Sequence, residues 1–177
     1  GHWLLDRQID QNSFDASGLE IRFTPSNNVS LQWRYQLGTE EFFEPWEDPA
    51  YNDVGGIFIA DVSKTPEIAL SGQPISNVQN ITGVGGLEAL SVNEIKSFGS
   101  VGKTQFENPI CGPLGWEYDG GTIEPQLTKK VDLKAGKTYY LSALIGDARD
   151  KRYDSGLLIG SSGENKDLSY IFIDVEI

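Results

Sequence analysis

The chain of 177 residues contains one cysteine, Cys111, one histidine, His2, and no methionine. A single cysteine excludes an internal disulfide, and a single histidine beside it excludes a structural zinc site. With no histidine to serve as its base, Cys111 reads as a small buried residue rather than a nucleophile. The missing methionine, even at the start, reads as a fragment cut from a longer chain. No run of about 18 apolar residues exists, so neither a transmembrane helix nor a signal peptide is expected. Positive charge is also scarce. Fourteen basic side chains against 26 acidic ones leave a formal net charge of -12. A phosphate backbone is bound by a basic surface, so nucleic acid is excluded as a partner. The same sign argues against an anionic membrane surface.

What is present is enough for one core. Apolar residues make up 38% and aromatics 11%, which suits a globular domain and not a disordered segment. Leu19-Glu20-Ile21-Arg22-Phe23 alternates apolar and polar, and so does Leu31-Gln32-Trp33-Arg34-Tyr35-Gln36-Leu37. Both predict half-buried strands, and Thr24-Pro25-Ser26-Asn27-Asn28 between them predicts a hairpin turn. Trp33 and Tyr35 read as one face of the sheet, and Trp3 as a staple holding the first segment to the core. Gly55-Gly56-Ile57-Phe58-Ile59-Ala60 is a short apolar strand. Val131-Asp132-Leu133, a turn at Lys134-Ala135-Gly136-Lys137 and a strand from Thr138 to Ile145 follow. Two further strands lie near residues 156–159 and 169–177. The best helical pattern covers residues 87–98. With 20 glycines and 8 prolines, the expectation is all-β: an antiparallel β-sandwich, jelly-roll-like, with long loops and at most one or two short helices. A single ligand-binding domain over residues 1–177, monomeric, is expected.

Carboxylates gather at turn positions in three segments: residues 38–54, 116–122 and 146–155. Calcium takes about six to eight oxygen ligands, and loops supply carboxylates and free carbonyls in varied directions. Asp147, Asp150 and Asp154 follow a strand directly and fall close enough to surround one point. Packing them without a cation incurs like-charge repulsion. The alternative is a solvated acidic loop balanced by Arg149, Lys151 and Arg152. The EF-hand order is absent, so spacing leaves both readings open. Asn52-Asp53 reads equally as an Asx turn that starts a strand.

In order, Gly38-Thr39-Glu40-Glu41-Phe42, Tyr51-Asn52-Asp53-Val54, Tyr118-Asp119-Gly120-Gly121-Thr122 and the Asp147, Asp150, Asp154-Ser155 series resemble the bacterial surface domain called choice-of-anchor L. Phe14-Asp15-Ala16-Ser17-Gly18-Leu19 and the Gly136 turn fit the same order, so the resemblance spans roughly residues 12–163. Gly56 departs from it, standing where many members carry a bulky apolar residue. The chain is also similar to the peptide-binding domains of large calcium-dependent RTX adhesins. The resemblance implies one or more calcium ions, held by Glu41, Asn52, Asp53, Asp119, Asp147, Asp150 and Asp154. It implies an extracellular place on a bacterial surface, within a larger anchored protein. It further implies adhesion through a peptide or protein terminus on a host or neighbouring cell.

A ligand carboxylate needs a bound cation, basic side chains or free N–H groups. Arg149, Arg152, Tyr153, Trp46 and Ser155 are the candidates for ligand contact. Arg can fork onto a carboxylate, and aromatics on loops are common binding anchors. Tyr153 and Trp46 also suit a calcium-dependent carbohydrate-binding module, and a calcium-rigidified spacer needs no ligand. A glycosidase pair at Glu40 and Glu41 is disfavoured, because adjacent strand residues point to opposite faces. No enzymatic role is expected.

Overall fold

The computed structural model describes residues 1–9, 12–39, 53–82, 90–91, 101–102, 120–121, 126–148, 155–161 and 170–175. Two long neighbours, β4 (Val54–Asp61) and β11 (Tyr139–Ala148), form the centre of one sheet. They pair antiparallel from Tyr139 opposite Asp61 to Gly146 opposite Val54. β1 (Ser13–Phe23) pairs with the other edge of β11, while β5 (Gln79–Asn80) and β6 (Leu90–Ser91) pair with β4. The second sheet runs β13 (Tyr170–Val175), β12 (Ser155–Ser161), β3 (Trp33–Thr39), β8 (Gly120–Gly121), β7 (Val101–Gly102), with β9 (Gln126–Leu127) also on β3. β2 (Val29–Leu31) and β10 (Val131–Leu133) make a separate two-stranded ladder. The architecture is an all-β antiparallel sandwich, as the residue pattern predicts.

Period-2 alternation sorts the side chains into layers. Tyr35 and Leu37 of β3, Ile57 and Ile59 of β4, Ala143 and Ile145 of β11, and Leu157 and Ile159 of β12 meet between the sheets. Each fully buried Leu or Ile there contributes roughly 1.5–3 kcal/mol. Tyr35 is buried along with them, and its hydroxyl donates to the Thr82 carbonyl at 2.6 Å. The opposite face of β4 and β11, with Phe58, Tyr140 and Leu144, is covered by α1 (Trp3–Ile9) through Leu4 and Leu5. Both faces of β4 are therefore covered, which is why it reads as an unbroken apolar run.

Two expectations are corrected. Residues 19–23 and 31–37 do not form a hairpin: β1 pairs with β11, and β3 pairs with β12. Leu19 and Phe23 instead pack against the core cluster that contains Tyr35 and Leu37. Alternation shows which face of a strand is apolar but not which strand it bonds to. The intervening link docks elsewhere: the Pro25 carbonyl accepts from Gly136 N–H, and Asn28 Oδ1 from Ala135 N–H, both at 2.9 Å. Gly136 has φ 73°, a left-handed value that favours glycine in this turn. The second correction concerns the helix. Leu90–Ser91 is a strand on β4, and the rest of residues 87–98 lies outside the described residues. Among the described residues the α-helix is α1, whose start is capped by His2. The His2 carbonyl accepts from Leu5 and Asp6 N–H, and its Nδ1 accepts from Leu4 N–H at 3.2 Å. Trp3 packs on the outer cluster, as the staple reading expects.

Candidate functional site

The four inward stripes share one feature. At one end of the sandwich each changes from apolar to polar: Tyr35 and Leu37 lead to Thr39, and Ile59, Ile57 and Gly55 lead to Asp53. Ala143 and Ile145 lead to Asp147, and Ile159 and Leu157 lead to Ser155. Thr39, Asp53, Asp147 and Ser155 are each 0% exposed. The core is thus closed at this end by two buried carboxylates and two buried hydroxyls. Charge this deep is costly unless hydrogen bonds or a cation compensate it.

Asp53 ties the two sheets together. Its Oδ1 accepts from Ala148 N–H at 3.2 Å in its own sheet, and its Oδ2 accepts from the Ser155 hydroxyl at 2.6 Å in the other. A hydroxyl has one proton. If Ser155 gives it to the carboxylate, the 2.9 Å contact between Ser155 Oγ and Thr39 Oγ1 is donated by Thr39. A chain of three side chains therefore crosses the interior. Asp147 sits opposite Phe14, next to a bulge in β1 where Asp15 takes φ 37°. Such bulges re-aim the chain and often lie beside functional sites.

Gly55 lies one inward step below Asp53. A Cβ there would meet Ile145 Cδ1 at 3.1 Å and Leu37 Cδ1 at 3.4 Å. The sheets approach closely just beneath the polar end, and glycine permits it.

The same end receives the acidic segments. Residues 40–52 join Thr39 to Asp53, and residues 149–154 join Ala148 to Ser155. Residues 103–119 leave Gly102 and return to Gly120; these two pair with each other, and Gly120 pairs in turn with Thr39. The topology thus gathers the attachment points of all three acidic segments. Of the residues predicted to bind metal or ligand, Asp53, Asp147 and Ser155 are described and come together. Glu41, Trp46, Asn52, Asp119, Arg149, Asp150, Arg152, Tyr153 and Asp154 lie outside the described residues, as does Cys111. Among the described residues no group of three acidic, histidine or cysteine side chains forms. Thr39 was not among the predicted site residues. Its signal was available: it continues the inward stripe of Tyr35 and Leu37.

The model of one protein family, described as the Choice-of-anchor L domain, matches residues 2–164. This chain belongs to the Choice-of-anchor L family. No curated protein and no solved structure matches it. Choice-of-anchor L membership makes the chain a bacterial surface-anchored module, with a structural or adhesive role rather than an enzymatic one. Gly56 has a local explanation. A Cβ at that position would lie 2.4 Å from the Phe58 ring, on the same outward face. Phe58 fills the space that a bulky residue at position 56 would take.

Proposed function

We propose that this Choice-of-anchor L domain is a calcium-dependent adhesin module that binds a short peptide or protein terminus on another cell. The observation that carries the reading is the polar end of the sandwich. Two carboxylates, Asp53 and Asp147, are wholly buried where three carboxylate-rich segments attach. The donor set fits calcium: it is made of hard oxygens, with no thiolate or imidazole among the candidates. Asp53 uses both oxygens in the brace yet keeps further lone pairs. Asp147 is the best-placed ligand among the described residues. Glu41, Asn52, Asp119, Asp150 and Asp154 would supply the remaining oxygens from the attached segments.

When bound, calcium supplies a positive point in a domain of net charge -12, against which a ligand carboxylate can dock. Arg149 and Arg152 would fork onto that carboxylate, with Trp46, Tyr153 and Ser155 flanking it.

Calorimetry tests it, using peptides with a free C-terminal carboxylate and their amidated forms, each in calcium and in chelator. The expected result is binding of the free-carboxylate peptides in calcium alone. Equal affinity in chelator would remove calcium from the account. A second reading, a calcium-rigidified spacer, is favoured by the Asp53 brace, which joins the sheets whether or not a ligand binds. Absence of binding across peptide and glycan panels, with a calcium-dependent melting temperature, would select the spacer.

A further inference from the structure

A cleft of about 790 Å³ opens at the edge of the first sheet, between α1, β5 and the segment leading into β10. That volume falls in the range of ligand sites. Its floor is apolar, with Leu4, Phe58 and Ile81, and its rim carries Arg7, Lys129 and Lys130. All three cations are exposed, and among the described residues none has a carboxylate partner. Asp132, the acidic residue on the same rim, is engaged by the Ser30 hydroxyl. Three of the chain's 14 basic residues thus converge on one cleft in a protein of net charge -12.

The cations stand on fixed backbone. Lys129 N–H donates to the Ile81 carbonyl at 2.8 Å, and Thr128 N–H to the Trp33 carbonyl at 2.9 Å. The Thr128 carbonyl accepts from Gln32 Nε2, and its Oγ1 from Trp33 N–H. Arg7 is carried by α1, and Asn80 Nδ2 donates to Gln8 Oε1 across the cleft wall. A preorganised rim spends less binding energy on ordering.

We infer that this cleft is a second, calcium-independent binding site, and that it takes an acidic peptide segment with apolar side chains between its carboxylates. Arg7, Lys129 and Lys130 meet the carboxylates, and the half-buried Val78 and Val131, which line the cleft over that floor, take the side chains between them. Phe58 is 1% exposed and offers no open ring for a sugar to stack on. A long polyanion, whether nucleic acid or polyuronate, would extend past these three cations along a chain of net charge -12, whereas a short acidic segment is matched to them. The cleft is also separate from the polar end of the sandwich. Phe58 lies five residues along β4 from Asp53, roughly 16 Å at the usual strand rise.

The test uses a hexapeptide of alternating glutamate and leucine, blocked at both termini, with the whole domain in excess chelator. Blocked termini and chelator keep its outcome independent of the calcium reading. The expected result is saturable binding that weakens with salt and is absent for the lysine–leucine counterpart. Lys129→Glu with Lys130→Glu should weaken binding at least about tenfold. Lys64→Glu, an exposed change elsewhere, should leave it unaltered. Arg7→Gln provides a second, milder variant should the double reversal disturb folding. No binding at millimolar peptide, or an affinity unmoved by the double reversal and by Arg7→Gln, would overturn the inference. Binding of oligogalacturonate without binding of the peptide would overturn the choice of occupant.

Discussion

Strand β4 begins beside one aspartate and ends on another, and the two lead opposite lives. Asp53 is 0% exposed and braces the two sheets through Ala148 N–H and the Ser155 hydroxyl. Asp61, at the other end, has a side chain 33% exposed and meets Lys137 Nζ at 2.5 Å, with Ser63 also donating to it. The Lys137 ammonium, followed by Ser63, lowers the Asp61 pKa to about 2. One end of the sandwich is thus closed by an exposed ion pair over a turn. The other is closed by carboxylates placed inside it. An exposed pair is screened by water and contributes little. A buried carboxylate carries a desolvation cost, met at Asp53 by the Ala148 N–H and the Ser155 hydroxyl.

Substitutions should separate the two ends by size. Asp53→Ala removes the acceptor from two buried donors and should cost about 3 kcal/mol, read by urea unfolding. A loss below about 1 kcal/mol would show that the brace is dispensable. Thr39→Val keeps the shape and deletes one hydroxyl in the same chain, with an expected cost of about 1 kcal/mol. Asp61→Asn should cost less than about 1 kcal/mol at neutral pH. Its sign against pH is fixed. The folded carboxyl titrates below its ordinary 3.8, so its contribution is full above that value and is lost as pH falls towards about 2. Wild type and Asp61→Asn should therefore converge in stability between pH 4 and 2. A difference that widens on acidification would contradict the ion-pair account.

Much of this comparison is legible in the residues. Alternation identifies the inward faces of β1 and β3, and the turn at Gly136 follows from its sequence. Asp53, Asp147 and Ser155 stand out as polar residues at the ends of apolar runs. The partner of each strand is not legible, because an apolar face is satisfied equally by pairing or by facing. α1 is hidden for another reason. Seven residues are too few to show a helical period, and Asp6 and Arg7 interrupt the apolar run. The cleft escapes sequence reading because Arg7 and Lys129 are far apart in the chain. Lys129-Lys130 alone reads as a solvated turn.

The claim on which the account turns is that the polar end of the sandwich holds calcium. Thermal unfolding of the chelator-stripped domain, followed across a calcium titration with magnesium as control, tests it directly. At calcium about a hundredfold above its dissociation constant, the melting temperature should rise by about 5–10 °C and then level off. Melting curves that superimpose in chelator and in millimolar calcium would contradict the account.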